Sequence, residues 1–187
     1  MSEPIRAYVA FGSNLGDRVG HLVAARNALV ESESVEFVAA SRIWETEPVG
    51  PAGQGAYLNA AIALDVWLSP RKLLELLLAI EHRSGRDRDR EPVRSSPRVL
   101  DLDLLLYGDL TLDESDLEIP HPRLHERSFV LEPLCEIAGG CVHPRLGGTL
   151  SEHLARCRTP ATARPWLVGS AWVASVGSVC VAEKIET

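Results

Sequence analysis

The run Leu100-Asp101-Leu102-Asp103-Leu104-Leu105-Leu106-Tyr107 restricts the fold more than any other part of this chain. A strand this apolar belongs inside the fold. Side chains alternate along a strand, so Asp101 and Asp103 share one face while Leu100, Leu102 and Leu104 share the other. The two carboxylates then stand about 7 Å apart at their backbones. Acids that close, in such a setting, need positive partners or metal ions.

The flanking pattern supplies the rest of the sheet. Ile5 to Phe11 reads as a short buried strand, and Asp17 can cap a helix carrying Leu22, Ala25 and Leu29 at helical spacing. Val35 to Trp44 and Tyr57 to Trp67 read as strands separated by a Pro/Gly loop. Ser69-Pro70 opens a second helix in N-cap and N1 order, with Leu73, Leu77 and Ile80 on one side, ending near Gly85. The order β-α-β-β-α-β with short connections predicts an α+β fold: a ferredoxin-like βαββαβ core whose antiparallel sheet is flanked by helices, with C-terminal additions. Ser128 to Ala138 is expected to be one such addition. We expect one catalytic domain over residues 1–158 and a tail, 159–187, of open role.

The whole chain bounds the function. Its 187 residues, 45% hydrophobic and 24% charged, suit one globular domain. A net charge of −7 without a basic tract argues against an electrostatic nucleic-acid binder. Four Cys without metal-ligand spacing and no basic-then-apolar leader predict a cytoplasmic protein. Residues 165–182 carry no charge and approach the roughly 20 residues of a membrane span. Their Gly, Ser and Val content favours a loosely ordered or strand-forming tail, so no membrane partner is expected. Nothing calls for an obligate oligomer, and a monomer is the expectation.

Carboxylates on a rigid strand suit Mg²⁺, which takes oxygen ligands and shares them with substrate phosphates. The alternative is that each acid pairs with a nearby Arg. Arg83, Arg86, Arg88, Arg90, Arg94 and Arg98 lead straight into the aspartate strand, and guanidinium forks match phosphate oxygens two bonds at a time. Together they point to phosphoryl transfer with a nucleoside triphosphate. Gly12-Ser13-Asn14-Leu15-Gly16, between strand and helix, could cradle an anion, but it lacks the Lys of a P-loop and a structural turn is the favoured reading. Tyr57 and Asn59 share a strand face, and with Phe129 offer stacking and an amide edge to a flat heteroaromatic ring; core packing of the two aromatics is the competing reading. His121, between Pro120 and Pro122, is a further candidate for a phosphate.

Several motifs in order carry a resemblance to a known family: Phe11-Gly12-Ser13-Asn14-Leu15-Gly16-Asp17, Thr46-Glu47-Pro48-Val49-Gly50-Pro51, Tyr57-Leu58-Asn59-Ala60-Ala61, Pro97-Arg98-Val99-Leu100-Asp101-Leu102-Asp103, Ile119-Pro120-His121-Pro122-Arg123 and Arg127-Ser128-Phe129. Over about residues 5–157 the chain resembles the 6-hydroxymethyl-7,8-dihydropterin pyrophosphokinases of folate biosynthesis. The resemblance implies that ATP gives its β,γ-pyrophosphoryl group to the pterin hydroxymethyl oxygen, releasing AMP. It implies two Mg²⁺ ions on Asp101 and Asp103, with Arg86, Arg88 and Arg98 joining them in catalysis. Thr46, Pro48, Val49, Gly50, Tyr57, Asn59 and Phe129 are implied around the pterin, and Glu81, Arg86, Arg98, His121 and Arg127 around ATP. Ser95-Ser96 stands where members usually carry Trp-Gly, which predicts looser closure of the arginine loop or a substitute aromatic, not a different reaction. Two other readings stay open: another metal-dependent phosphoryl or nucleotidyl transferase on the same core, or a non-enzymatic regulatory or RNA-binding module, the acidic charge counting against RNA.

Overall fold

A computed structural model describes residues 3–48, 53–86, 97–157, 163–166 and 172. Its elements are β1 (Ile5–Ser13), α1 (Arg18–Val30), β2 (Val35–Ala40), β3 (Trp44–Thr46), β4 (Tyr57–Val66), α2 (Pro70–Arg83), β5 (Asp101–Tyr107), β6 (Leu112–Glu114), β7 (Leu117–Ile119), α3 (Ser128–Ala138), α4 (Leu150–Arg156) and β8 (Arg164–Pro165). The helix starts obey their local chemistry. Asp17 accepts from Gly20 N–H, and Ser69 accepts from Lys72 N–H with Pro70 in the first turn. Past the end of α2, Gly85 takes φ of 88°, a left-handed conformation that favours glycine.

The main sheet runs β5-β1-β4-β3-β8, with β2 also paired to β4. The β1, β2, β3 and β5 pairings are antiparallel, giving the ferredoxin-like arrangement. The segment Val35 to Trp44, expected to be one strand, is two. Ser41 interrupts it: its N–H donates to Ala61 O, and its hydroxyl accepts from Ala61 N–H, so a side chain replaces a ladder bond. β2 then pairs with the far half of β4 and β3 with the near half, Trp44 opposite Asn59 and Thr46 opposite Tyr57.

Both faces of the sheet are covered. Val9, Phe11, Leu58, Ile62, Leu64, Leu100, Leu102 and Leu104 pack against α1 and α2. Tyr8, Ala61, Ala63, Leu105 and Leu106 pack against α3 and α4. Leu105 and Leu106 share a face because the β1–β5 register shifts between Tyr8 and Val9. The segment beyond 158 joins the same structure: β8 pairs with β3, and Trp172 is 1% exposed in the α1 face of the core. Among the described residues no helix is long and apolar enough to cross a membrane.

Candidate active site

The candidate residues converge where β5 and β4 begin and β1 ends. Asp101 lies opposite Gly12, and Gly12 opposite Asn59. Asp103 lies one row further in, opposite Ala10, which faces Ala61. Neighbouring strands are about 4.8 Å apart, so Asp101 and Asn59 stand about 10 Å apart with only glycine between them. A Cβ on Gly12 would lie 3.4 Å from Asn59 Oδ1 and 3.6 Å from Asp101 Cβ. Gly12 is therefore the floor between the Asn59 and Asp101 sides, where the sequence favoured a structural turn over an anion cradle.

Asp101 is held by two cations. Arg86 Nη1 donates to its Oδ1 at 2.5 Å, and Arg98 Nη1 stands 3.0 Å from Oδ2. Burial opposes ionisation here, but Arg98 and Arg86 hold the carboxyl below the usual carboxylate range. Asp103 behaves oppositely: burial, and next the charge of Asp101, push it up to about 6. Arg127 is a cation partner of Asp103, 3.5 Å away. His121 Nε2 is 3.9 Å from the same oxygen. Burial and then Arg127 lower the His121 pKa to about 4, so the ring is neutral at pH 7. Its Nδ1 accepts from Arg123 N–H, which puts the proton on Nε2, facing the site. His121 thus offers a neutral donor to an anion.

Glu81 was expected beside ATP. Its structural position is 1% exposed, behind the strand. One oxygen accepts from Leu102 N–H at 2.7 Å and from Arg86 Nη1 at 2.5 Å. Glu81 anchors Arg86 and β5 from beneath.

The Gly-Ser-Asn turn is also part of the framework. Ser13 Oγ donates to Val99 O at 2.6 Å, and Asn14 Oδ1 accepts from Arg98 N–H at 2.7 Å. The Asn14 amide nitrogen donates to Gly55 O at 3.4 Å. This turn aligns the Arg98 segment with the end of the loop before Tyr57. The sequence signal was two small polar residues directly after an apolar strand, but their partners lie 40 to 86 positions away.

On the other side, Asn59 and Thr46 are nearly buried, at 7% and 3% exposure. Asn59 Nδ2 donates to Thr46 Oγ1 at 2.7 Å, which leaves Oδ1 directed toward Gly12. Tyr57, on the same face, donates its hydroxyl to Gln54 Oε1 at 3.4 Å. Phe129, in the first turn of α3, covers that face, and the Arg127 guanidinium lies 5.9 Å from its ring centre. Arg127 thereby touches both halves. Pro48 is half-buried at the end of the described part of its loop. Val49, Gly50, Arg88 and the Ser95-Ser96 pair lie outside the described residues.

The donor set fits a hard cation only in one way. Among the described residues no group of three or more His, Cys, Asp or Glu could hold a metal ion by itself. Two mostly buried strand carboxylates, with 25% and 31% of their side chains exposed, suit an ion whose other ligands are phosphate and water. The raised Asp103 pKa is the electrostatic cost such an ion relieves.

The family model for 7,8-dihydro-6-hydroxymethylpterin-pyrophosphokinase matches residues 8–139. The chain is 44% identical over 131 residues to 2-amino-4-hydroxy-6-hydroxymethyldihydropteridine pyrophosphokinase of Bacillus subtilis, covering 70% of this chain and 77% of that one. It is 42% identical over 152 residues to the enzyme of the same name from Methylorubrum extorquens, covering 81% and 92%. Its fold is similar to wild-type Plasmodium falciparum HPPK-DHPS solved with pterin and p-hydroxybenzoate, with a TM-score of 0.64, 14% identity and 83% coverage of this chain. This chain spans 43% of that larger protein.

Proposed function

The chain belongs to the 7,8-dihydro-6-hydroxymethylpterin-pyrophosphokinase family, and we propose that its Asn59 and Asp101 sides are the two half-sites of that family's reaction. The enzyme transfers pyrophosphate from ATP to the hydroxymethyl group of 6-hydroxymethyl-7,8-dihydropterin in folate biosynthesis. The observation that carries the site assignment is the single row Asp101–Gly12–Asn59 across three adjacent strands.

In this reading Tyr57 and Phe129 stack on the pterin, while Asn59 Oδ1 accepts from a ring N–H. Thr46 fixes that amide orientation. Pro48, Val49 and Gly50 complete the rim. The hydroxymethyl arm then crosses Gly12 toward Asp101. Its oxygen attacks the β-phosphorus, the bond from that phosphorus to the bridging α,β-oxygen breaks, and AMP departs. Arg86, Arg98 and Arg127 bind the phosphates, His121 donates a neutral hydrogen bond, and Arg88 joins from the arginine loop. Asp101 and Asp103 would hold two Mg²⁺ ions, which would neutralise triphosphate charge and lower the hydroxyl pKa. Before ATP arrives, Arg86 and Arg98 keep Asp101 ionised and in place. Phosphate oxygens then compete for both guanidinium groups, which would leave Asp101 able to hold a cation.

A fluorescence titration with pterin, in the presence of a non-hydrolysable ATP analogue and Mg²⁺, tests the division. Asn59→Ala weakens pterin binding, whereas Asp101→Asn with Asp103→Asn abolishes the metal-dependent gain. Equal loss of pterin affinity with and without Mg²⁺ in the double variant contradicts the assignment.

A further inference from the structure

β3 has only three residues, yet it carries Thr46 and pairs with the strand bearing Tyr57 and Asn59. A three-residue edge strand is a weak support for a pocket wall. Here it is not an edge. Pro165 lies opposite Trp44 and Arg164 opposite Glu45, and Trp166 N–H donates to Ile43 O at 2.8 Å.

Side chains tie the same place together. Glu45, 6% exposed, accepts from Arg164 through both Nε, at 2.9 Å, and Nη2. It also accepts from Arg18 Nη1 at 3.1 Å. That nitrogen donates to Ala56 O at 2.7 Å, directly before Tyr57. The Arg18 guanidinium lies 5.1 Å from the centre of the Trp166 ring. Further along, Trp172 packs edge-on against Phe11 at 5.7 Å, and its indole N–H donates to Ser41 O at 2.7 Å. Arg26 donates to the Trp172 carbonyl. The segment thus fixes β3 at two places: Ser41 and Ile43 before it, Glu45 within it.

We propose that the C-terminal segment bearing Arg164, Trp166 and Trp172 positions the pterin half-site, acting through Glu45 and Thr46 on Asn59. This rests on the reading of Thr46, Tyr57 and Asn59 as the pterin side. Arg164 is a positioning residue. Its side chain is 76% exposed, so replacing it spares the core. With Arg164 removed, Glu45 keeps Arg18, and Thr46 loses the rigid neighbour that aims the Asn59 amide. Arg86, Arg98 and Asp101 lie on the opposite edge of the sheet, so the nucleotide side is unaffected.

The test measures equilibrium pterin and ATP-analogue binding, with kcat and both KM values, in full-length Arg164→Ala, Arg164→Lys, Trp172→Phe and Asn59→Ala. For Arg164→Ala we expect pterin Kd and KM to rise about fivefold or more, with kcat and ATP-analogue Kd within about twofold. Arg164→Lys restores most of the loss. Trp172→Phe keeps the aromatic packing, loses the bond to Ser41 and shifts pterin affinity in the same direction. If Asn59→Ala weakens pterin but Arg164→Ala and Trp172→Phe leave it unchanged, the inference is wrong. It is also wrong if Arg164→Ala weakens both ligands equally, because that is general destabilisation. If Asn59→Ala itself leaves pterin binding unchanged, the half-site reading has failed instead.

Discussion

Asp103→Asn should make the metal-free protein more stable while removing its activity. The magnitude follows from the site. The Asp103 carboxyl rises from 3.8 to about 6 on folding, because it is buried beside Asp101. At 1.36 kcal/mol for each tenfold change in proton affinity, that is about 3 kcal/mol of electrostatic cost at pH 7. Because Asp101 and Asp103 titrate together, we take about 1–3 kcal/mol as the recoverable part. For a chain of this size the melting temperature then rises about 3–9 °C. The sign depends on pH. A carboxyl with a raised folded pKa keeps its proton in the fold after the unfolded chain has lost it. The penalty is therefore absent below about pH 4, grows toward about pH 6, and is full above it. Thermal unfolding in EDTA at pH 4 and pH 7.5 reads this out. The variant should gain only at the higher pH, and Mg²⁺ with an ATP analogue should stabilise the wild type but not the variant. A variant less stable than wild type in EDTA at pH 7.5, or a gain equal at both pH values, refutes the reasoning.

Gly12→Val puts methyl groups into the gap between Asn59 and Asp101, where a bare Cβ already reaches 3.4 Å contact. It should fold, bind ATP analogue, and lose at least about 100-fold in kcat/KM, equivalent to about 3 kcal/mol; near-normal turnover would show that the hydroxymethyl arm does not cross this row. Glu81→Gln breaks a buried ion pair with Arg86 and should cost about 3 kcal/mol by urea denaturation. Asn14→Ala removes the acceptor for Arg98 N–H and should cost about 1–2 kcal/mol. Its KM values for ATP and pterin should both rise, since the side chain joins both segments.

Much of this molecule was legible because its signals are local. Caps at Asp17 and Ser69 set two helices, and period-two alternation put Tyr57 with Asn59 and Asp101 with Asp103. The break at Ser41 was not legible, since it depends on Ala61, twenty residues away. Nor was the depth of Glu81: a glutamate near a helix end looks solvent-facing until Leu102 N–H and Arg86 are folded over it. The helix α4 is only seven residues long, held by a Thr149–Glu152 capping box, and its apolar stripe is no more than Leu150 and Leu154. Trp172 is the extreme case. An uncharged Gly/Ser/Val stretch gives no periodicity, and the partner of its indole N–H is 131 positions away. Of the two readings of the aspartates, the arginine pairing is present: Asp101 is held by Arg86 and Arg98.

The most direct test is product analysis. Wild type and the Asp101→Ala/Asp103→Ala variant are incubated with ATP, Mg²⁺ and 6-hydroxymethyl-7,8-dihydropterin, and AMP and ADP are quantified against pterin consumed. We expect the wild type to release one AMP for each pterin diphosphorylated, with no pterin-dependent ADP. The double variant should release neither while still binding pterin through Asn59. Pterin-dependent AMP release by the double variant at the wild-type rate would contradict the placing of transfer at the aspartate pair.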